Sequence, residues 1–234
     1  MQGVPDGGLA LVLGSEGGIG RALLAQLQQD SGFAAVQGFS RHSQPGLDLL
    51  QEESIARCAE AVRAQPLALR LVLVATGSLH GAGHAPEKSL QQLDPAALAH
   101  AFAVNATGPA LLMKHFLPLL PRTGTAVFAV LSAKVGSIGD NRLGGWYSYR
   151  ASKAALNQLV HTAAIELRRR QPQALCVALH PGTVDTALSA PFAKTGLEVQ
   201  TPTTAAARLL TAIAQLDASA SGGFFNYDAT PLPW

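Results

Sequence analysis

Tyr149 and Lys153, in the stretch GGWYSYRASKAAL, stand four residues apart. On a helix that spacing puts both side chains on one face, whereas Tyr147 has only Ala151 at the same offset. A free phenol titrates near ~10, too high for proton transfer at neutral pH, and an adjacent ammonium favours the phenolate and moves it toward the working range. Such a pair can exchange a proton with a carbonyl or alcohol oxygen while a hydride passes to or from a nicotinamide.

A second motif supplies a place for that carrier. Gly14-Ser15-Glu16-Gly17-Gly18-Ile19-Gly20 follows the apolar run LALVLG and opens the helical pattern IGRALLAQLQQ. Glycines at a strand-to-helix turn let the backbone approach a pyrophosphate, whose charge meets N–H groups and the positive end of the helix. The spacing is G-x-x-x-G-x-G rather than G-x-G-x-x-G, so it is the position after the first strand that points to a dinucleotide. Glu16 fits this turn poorly, because a carboxylate near phosphates repels them unless it points to solvent.

Dinucleotide sites of this kind place an acid about 20 residues past the glycines to accept the ribose 2′-hydroxyl. Here that place reads Ser40-Arg41-His42-Ser43. With no carboxylate to repel a 2′-phosphate and a guanidinium suited to hold one, NADP(H) is favoured over NAD(H). Asp48, just beyond, is placed for an adenine contact.

In FAVNATGPALLMKHF, Pro109 has no N–H and cannot bond the carbonyl of Asn105 four residues earlier. That carbonyl is freed, and with Gly108 beside the proline the helix is expected to kink there and offer Asn105 as a water-binding point.

The elements that must position these residues are legible as alternating runs. Apolar stretches of strand length occur at 9–14, 34–40, 69–76, 125–132, 174–182 and 222–228. Continuous runs of this kind suit strands covered on both faces. Amphipathic stretches at about 19–30, 51–64, 94–120, 145–170 and 202–216 lie between them, which gives an α/β fold: a Rossmann-like doubly wound parallel sheet with helices on both faces. The length suits a single domain, 1–234. The irregular stretch 186–201 follows a strand end and is read as a lid.

Bulk properties narrow the partners. With 17 basic against 15 acidic residues the formal charge of +2 gives no hold on nucleic acid or an anionic membrane, and a small-molecule partner fits better. No signal peptide is read at the start and no apolar run nears the roughly 20 residues that span a bilayer, so the expectation is a cytoplasmic protein. Cys58 and Cys176 read as buried free thiols, and no residues stand at metal-ligand spacing; His80 and His84 are four apart but in a glycine-rich loop. Arg168, Arg169 and Arg170 end the helix that begins with the tyrosine, where cations complement its dipole. Trp146, Tyr147, Phe192 and Trp234 are read as packing, with Trp146 and Phe192 also candidates for a substrate pocket. Arg150, one position after Tyr149, is expected to face solvent or a subunit contact.

In this order the motifs resemble the short-chain dehydrogenase/reductase family along essentially the whole chain: the turn at Gly14, Gly18 and Gly20, then Asn105, Tyr149-x-x-x-Lys153 and HPGTVDT at 180–186. The strings GSIGDNRLGGWYSYRASKAALN and FFNYDATPLPW are most similar to the C-factor and Sniffer-type carbonyl-reductase branch. The resemblance implies that Tyr149 is the general acid, that Lys153 binds the nicotinamide ribose and depresses the tyrosine, and that the Asn105 carbonyl holds a water linking Lys153 to solvent. It implies further that Pro181, Gly182, Thr183, Val184 and Thr186 bracket the nicotinamide and its phosphate, and that Ala75, Thr76 and Gly77 line the adenosine side. A homodimer or homotetramer, packed through the tyrosine helix, is implied too.

The family's substrate-binding serine is displaced. Counted back from Gly136 its place holds Ala133, and Ser132 and Ser137 are both candidates for the role. VATG at 74–77 also stands where the family commonly has asparagines before the alanine and glycine. The reading is an NADP(H)-dependent oxidoreductase reducing an aldehyde, ketone or quinone of a small apolar molecule, with the reverse oxidation of an alcohol open to the same residues. The alternative is a catalytically weak dinucleotide-binding regulatory or signalling protein.

Overall fold

The structure, a computed structural model, describes residues 6–81, 85–189 and 199–234. Its centre is a parallel sheet of β1 (Gly8–Leu13), β2 (Phe33–Phe39), β3 (Leu69–Val74), β4 (Ala126–Leu131), β5 (Ala174–His180) and, beyond β6 (Thr183–Val184) and β7 (Val199–Gln200), β8 (Phe224–Asn226). The order across the sheet is β2-β1-β3-β4-β5-β8. Each apolar run becomes one of these strands, the first two starting one residue early at Gly8 and Phe33 and the others shortened at one or both ends. β6 and β7 pair separately as a small parallel ribbon that the sequence did not announce.

Both faces of the sheet are covered, which is why the strands read as continuous apolar runs. Leu9, Leu11 and Leu13 pack on one side with Ile55 and Val62 of α2 (Glu52–Arg63), Phe116 of α4 (Gly108–Phe116) and Leu156 and Val160 of α5 (Tyr147–Arg170). Ala10 and Val12 face the other way, against Leu23 and Leu27 of α1 (Gly18–Gln29) and Leu209 and Ile213 of α6 (Pro202–Gln215). Cys58 and Cys176 are buried free thiols in the first layer, pushed up to about 11 and about 12 by burial.

The expected kink at Pro109 takes the form of a π turn. Ala103–Thr107 joins α3 (Pro95–Phe102) to α4, and the Gly108 N–H reaches back five residues to the Ala103 carbonyl. One extra residue per turn rotates the following positions and leaves Asn105 fully buried. Pro95–Leu119 is also a continuous helical run of 25 residues containing an 18-residue window of mean hydropathy 1.3, apolar and long enough to cross a bilayer, contrary to the expectation of no such run. In the fold it packs on α5 and α2, and Lys114 near its end pairs with Glu52 of α2 at 2.6 Å.

Candidate active site and dinucleotide cleft

The chain leaves β1 for β2 on one side and crosses to β3 on the other, so the strand order reverses at β1/β3. In open parallel sheets the crevice at such a switch point, outside the carboxyl ends of the strands, is where ligands bind. The glycine turn leaves β1 there and Ala75-Thr76-Gly77 leaves β3 beside it.

The turn is packed too tightly for a side chain at Gly14 or Gly20. A Cβ on Gly20 would lie 2.1 Å from the Gly14 carbonyl oxygen, and one on Gly14, at φ +91°, would lie 2.8 Å from Thr76 Cγ2. Gly14 and Ser15 donate their N–H groups to the Phe39 carbonyl at 2.8 and 3.1 Å, stitching the turn to the end of β2. Gly17 caps α1 without a side-chain hydrogen bond, and the first helical residues Gly18, Ile19 and Gly20 have N–H groups with no intrahelical acceptor. Thr186 closes over Gly18, where an added Cβ would meet Thr186 Cγ2 at 2.7 Å. Pro181 leads from β5 into β6, its carbonyl accepting from Gln200 Nε2 at 3.3 Å, and Gly182 turns at φ +78° toward Thr183 and Val184.

At the far end of the cleft, Ser40 is buried and its hydroxyl accepts the His42 N–H at 3.1 Å. The exposed Arg41 side chain forms no ion pair among the described residues. Asp48 accepts the Leu50 N–H at 3.0 Å, while its own N–H bonds Ser54. Glu16 leans back from the glycine turn so that Oε2 lies 2.6 Å from His42 Nδ1, and this hydrogen bond, with another from Ser40, holds the carboxyl below its ordinary value.

The chemistry-bearing residues gather at the other end. Lys153 is buried, and its Nζ donates to the Leu131 carbonyl at the tip of β4 at 2.9 Å, 5.9 Å from the centre of the Tyr149 ring. Gly136 is a glycine because a Cβ there would meet Lys153 Cβ at 2.8 Å. Asn105 acts through its side chain: Oδ1 accepts the Ser78 N–H at 2.8 Å, and Nδ2 donates to the Ser78 carbonyl at 2.8 Å and to Ser152 Oγ at 3.1 Å. It thereby ties the loop after β3 to α5, with Gly77 facing both Asn105 Oδ1 and Lys153 Nζ.

Neither candidate serine has an uncommitted hydroxyl. Ser132 Oγ donates to Asn157 Oδ1 at 2.6 Å; Ser137 Oγ donates to the Trp234 carbonyl at 3.3 Å and accepts the Asp140 N–H at 3.1 Å. Ala133 follows Ser132 at the mouth of the loop, itself buried. Burial pushes the Tyr149 phenol up to about 12, against the lowering expected from its lysine, and pushes Lys153 down to about 8.

Sequence reasoning missed several supporting groups. Buried Glu87 accepts the N–H and the hydroxyl of Ser148, anchoring the first turn of α5 next to Tyr149, and its carbonyl takes the Trp146 N–H. Nothing local in the sequence marks it. Asn157 was readable in principle, one turn beyond Lys153 on the same face. Arg150 does not face solvent alone: it is half-buried, bonding the Gly145 and Val135 carbonyls at 3.0 and 3.2 Å and clipping the loop that precedes α5. Trp146 meets Tyr149 edge-on at 6.2 Å, and Trp234 stacks on Phe224. His80 bonds the Ala187 carbonyl; His84, Phe192 and most of the expected lid lie outside the described residues.

The residues present fit a dinucleotide. Among the described residues, four buried side-chain atoms lack a hydrogen-bond partner: Thr76 Oγ1, Asn157 Nδ2, His180 Nδ1 and Gln200 Oε1. Thr76, His180 and Gln200 stand where β3, β5 and β7 end, and Asn157 bonds Ser132 just past β4. Buried polar groups are otherwise nearly always paired, so their gathering at one edge of the sheet marks a place built to meet polar ligand atoms.

This architecture is that of the doubly wound α/β proteins with a ligand crevice at the switch point. A family model described as Enoyl-(Acyl carrier protein) reductase matches residues 21–219. The 1-hydroxy-2-glutathionyl-2-methyl-3-butene dehydrogenase of Rhodococcus sp. (strain AD45) is 31% identical over 235 residues, covering 96% of this chain and 98% of that protein. C-signal of Myxococcus xanthus is 35% identical over 148 residues, covering 62% of this chain and 84% of that protein. The NADPH-bound carbonyl reductase from chicken fatty liver superposes with a TM-score of 0.86 at 24% identity, over 100% of this chain and 96% of that one. Carbonyl reductase Sniffer of D. melanogaster superposes with a TM-score of 0.82 at 22% identity, over 98% and 100%. The chain belongs to the short-chain dehydrogenase/reductase family of oxidoreductases.

Proposed function

We propose that the protein is an NADP(H)-dependent reductase of an aldehyde, ketone or quinone carried by a small apolar molecule. The observation that carries this reading is the placement of Tyr149 and Lys153 on one face of α5, beside Gly77 and Asn105 and at the same sheet edge as the glycine turn. Bound NADPH supplies the hydride. Tyr149 donates its phenolic proton to the carbonyl oxygen, and the Lys153 ammonium stabilises the phenolate left behind. Because burial holds the phenol protonated, the resting site is loaded as an acid, the form that reduction uses.

Gly14, Ser15, Gly17, Gly18, Ile19 and Gly20 would cradle the pyrophosphate at the uncapped start of α1. Arg41 with Ser40 would hold the 2′-phosphate, Asp48 the adenine, Ala75 to Gly77 the adenosine side, and Pro181 to Val184 with Thr186 the nicotinamide end. Ser132 and Ser137 are engaged within the chain, so the reading rests proton transfer on Tyr149 and gives the serines positioning roles. Buried free thiols fit a reducing, cytoplasmic setting. Half-exposed Leu159 and Ile165 on α5 fit assembly as a dimer or tetramer.

The test is NADPH oxidation against a panel of aldehydes, ketones and quinones, read at the nicotinamide absorbance. Turnover that depends on Tyr149 supports the reading; tight nucleotide binding with no turnover on any carbonyl or alcohol supports instead a regulatory or signalling protein. Ala133 in the serine's place and the 35% identity to C-signal favour that second reading.

A further inference from the structure

The 2′ corner of the cleft holds a guanidinium and a carboxylate from different parts of the chain. Arg41 follows β2. Glu16 comes from the glycine turn, which the bonds of Gly14 and Ser15 to the Phe39 carbonyl pull against the end of β2. A Cβ on Gly38 would meet Ser15 Cβ at 2.6 Å, so the two segments touch with no room between them. The Glu16 carboxylate therefore lies against Ser40 and His42, the residues on either side of Arg41 in the chain, with a 2.6 Å contact to His42 Nδ1. Arg21 donates to the Glu16 backbone carbonyl at 3.5 Å, and its charge also acts on the carboxylate.

A carboxylate in this corner accepts a hydrogen bond from a ribose 2′-hydroxyl and repels a 2′-phosphate, and a guanidinium does the reverse. The usual acid of an NAD site comes from the end of the second strand. Here that strand end supplies Arg41, and the acid arrives from the opposite wall. We infer that Glu16 is the second half of the 2′ reader: it accepts the 2′-hydroxyl of NAD(H), opposes the 2′-phosphate of NADP(H), and so sets how far Arg41 can tilt the chain toward the phosphorylated cofactor. His42 holds the carboxylate in place and offsets part of its field. The protein then binds both dinucleotides, with a modest preference for NADP(H). This inference rests on the dinucleotide reading above.

The experiment is equilibrium titration of NADPH and NADH, followed by nucleotide fluorescence at moderate ionic strength, with wild type, Glu16→Gln, Arg41→Ala and His42→Ala. Glu16 is solvent-exposed, so these variants fold, and thermal melting verifies it. Glu16→Gln is expected to tighten NADPH about fivefold and weaken NADH about fivefold, the scale of an exposed charge interaction. Arg41→Ala is expected to shift the ratio the other way, and His42→Ala to weaken NADPH. If Glu16→Gln leaves both affinities within about twofold of wild type while NADPH still binds, the inference falls and the dinucleotide reading stands. If wild type binds neither nucleotide, both fall. If Arg41→Ala leaves NADPH binding unchanged, the paired Arg41–Glu16 reader is overturned.

Discussion

Lys153 Nζ donates to the Leu131 carbonyl at 2.9 Å and lies 5.9 Å from the centre of the Tyr149 ring. The lysine is thus tied to the tip of β4, on the helix face it shares with the phenol. Burial acts on both groups toward their neutral forms, taking Lys153 down to about 8 and Tyr149 up to about 12.

Stability should report this directly. An unfolded lysine keeps its proton to about 10.5, so between about pH 8 and 10.5 the unfolded chain binds more protons than the folded one and stability rises with pH. Tyr149 has the opposite sign: above pH 10 the folded chain holds the phenolic proton longer, and stability falls. The melting temperature of wild type relative to Lys153→Met is expected to rise from about pH 7 to about pH 9.5. A flat difference would mean that the ammonium is not desolvated.

Ser132→Ala removes the only donor shown to Asn157 Oδ1 among the described residues and should cost about 1–2 kcal/mol in chemical denaturation, with turnover per folded molecule within about threefold of wild type. Ala133→Ser places a hydroxyl in the position that the family pattern reserves for one and should raise kcat about tenfold. A collapse of turnover in Ser132→Ala would return the substrate-facing role to that serine.

Asn105→Ala leaves Ser78 and Ser152 without the side chain that ties them together, all of it buried. A loss of about 2–4 kcal/mol is expected from three broken hydrogen bonds, with weaker NADPH binding because the loop after β3 lines the cleft. Unchanged stability would contradict the role given to this side chain.

Much of this site was legible before the structure, for local reasons. The strands are continuous apolar runs because both sheet faces are covered, Gly20 must be glycine because of one carbonyl, and the Tyr149–Lys153 offset follows from helix geometry alone. Pro109 announced a disturbed helix, but a lost N–H does not tell whether the chain kinks or inserts a π turn. What could not be read was contact between distant segments: Glu87 on the start of α5, Asn157 on Ser132, Glu16 on His42. The Tyr149 expectation had the wrong sign because spacing reveals a neighbouring charge and says nothing of how dry the pair is.

Gly20→Ala tests the cradle. A methyl group 2.1 Å from the Gly14 carbonyl forces the turn open, and a loss of about 3 kcal/mol is expected together with loss of NADPH binding. Gly17→Ala, whose Cβ would meet its first neighbour at 3.4 Å, should be far milder. Equal effects would show that crowding at Gly20 is not what shapes the turn.

The central claim is that Tyr149 delivers the proton. Steady-state NADPH oxidation by Tyr149→Phe, beside NADPH titration of the same variant, tests it most directly. The account predicts a fall in kcat of about 100-fold or more with NADPH affinity retained. Turnover by Tyr149→Phe equal to wild type would contradict it.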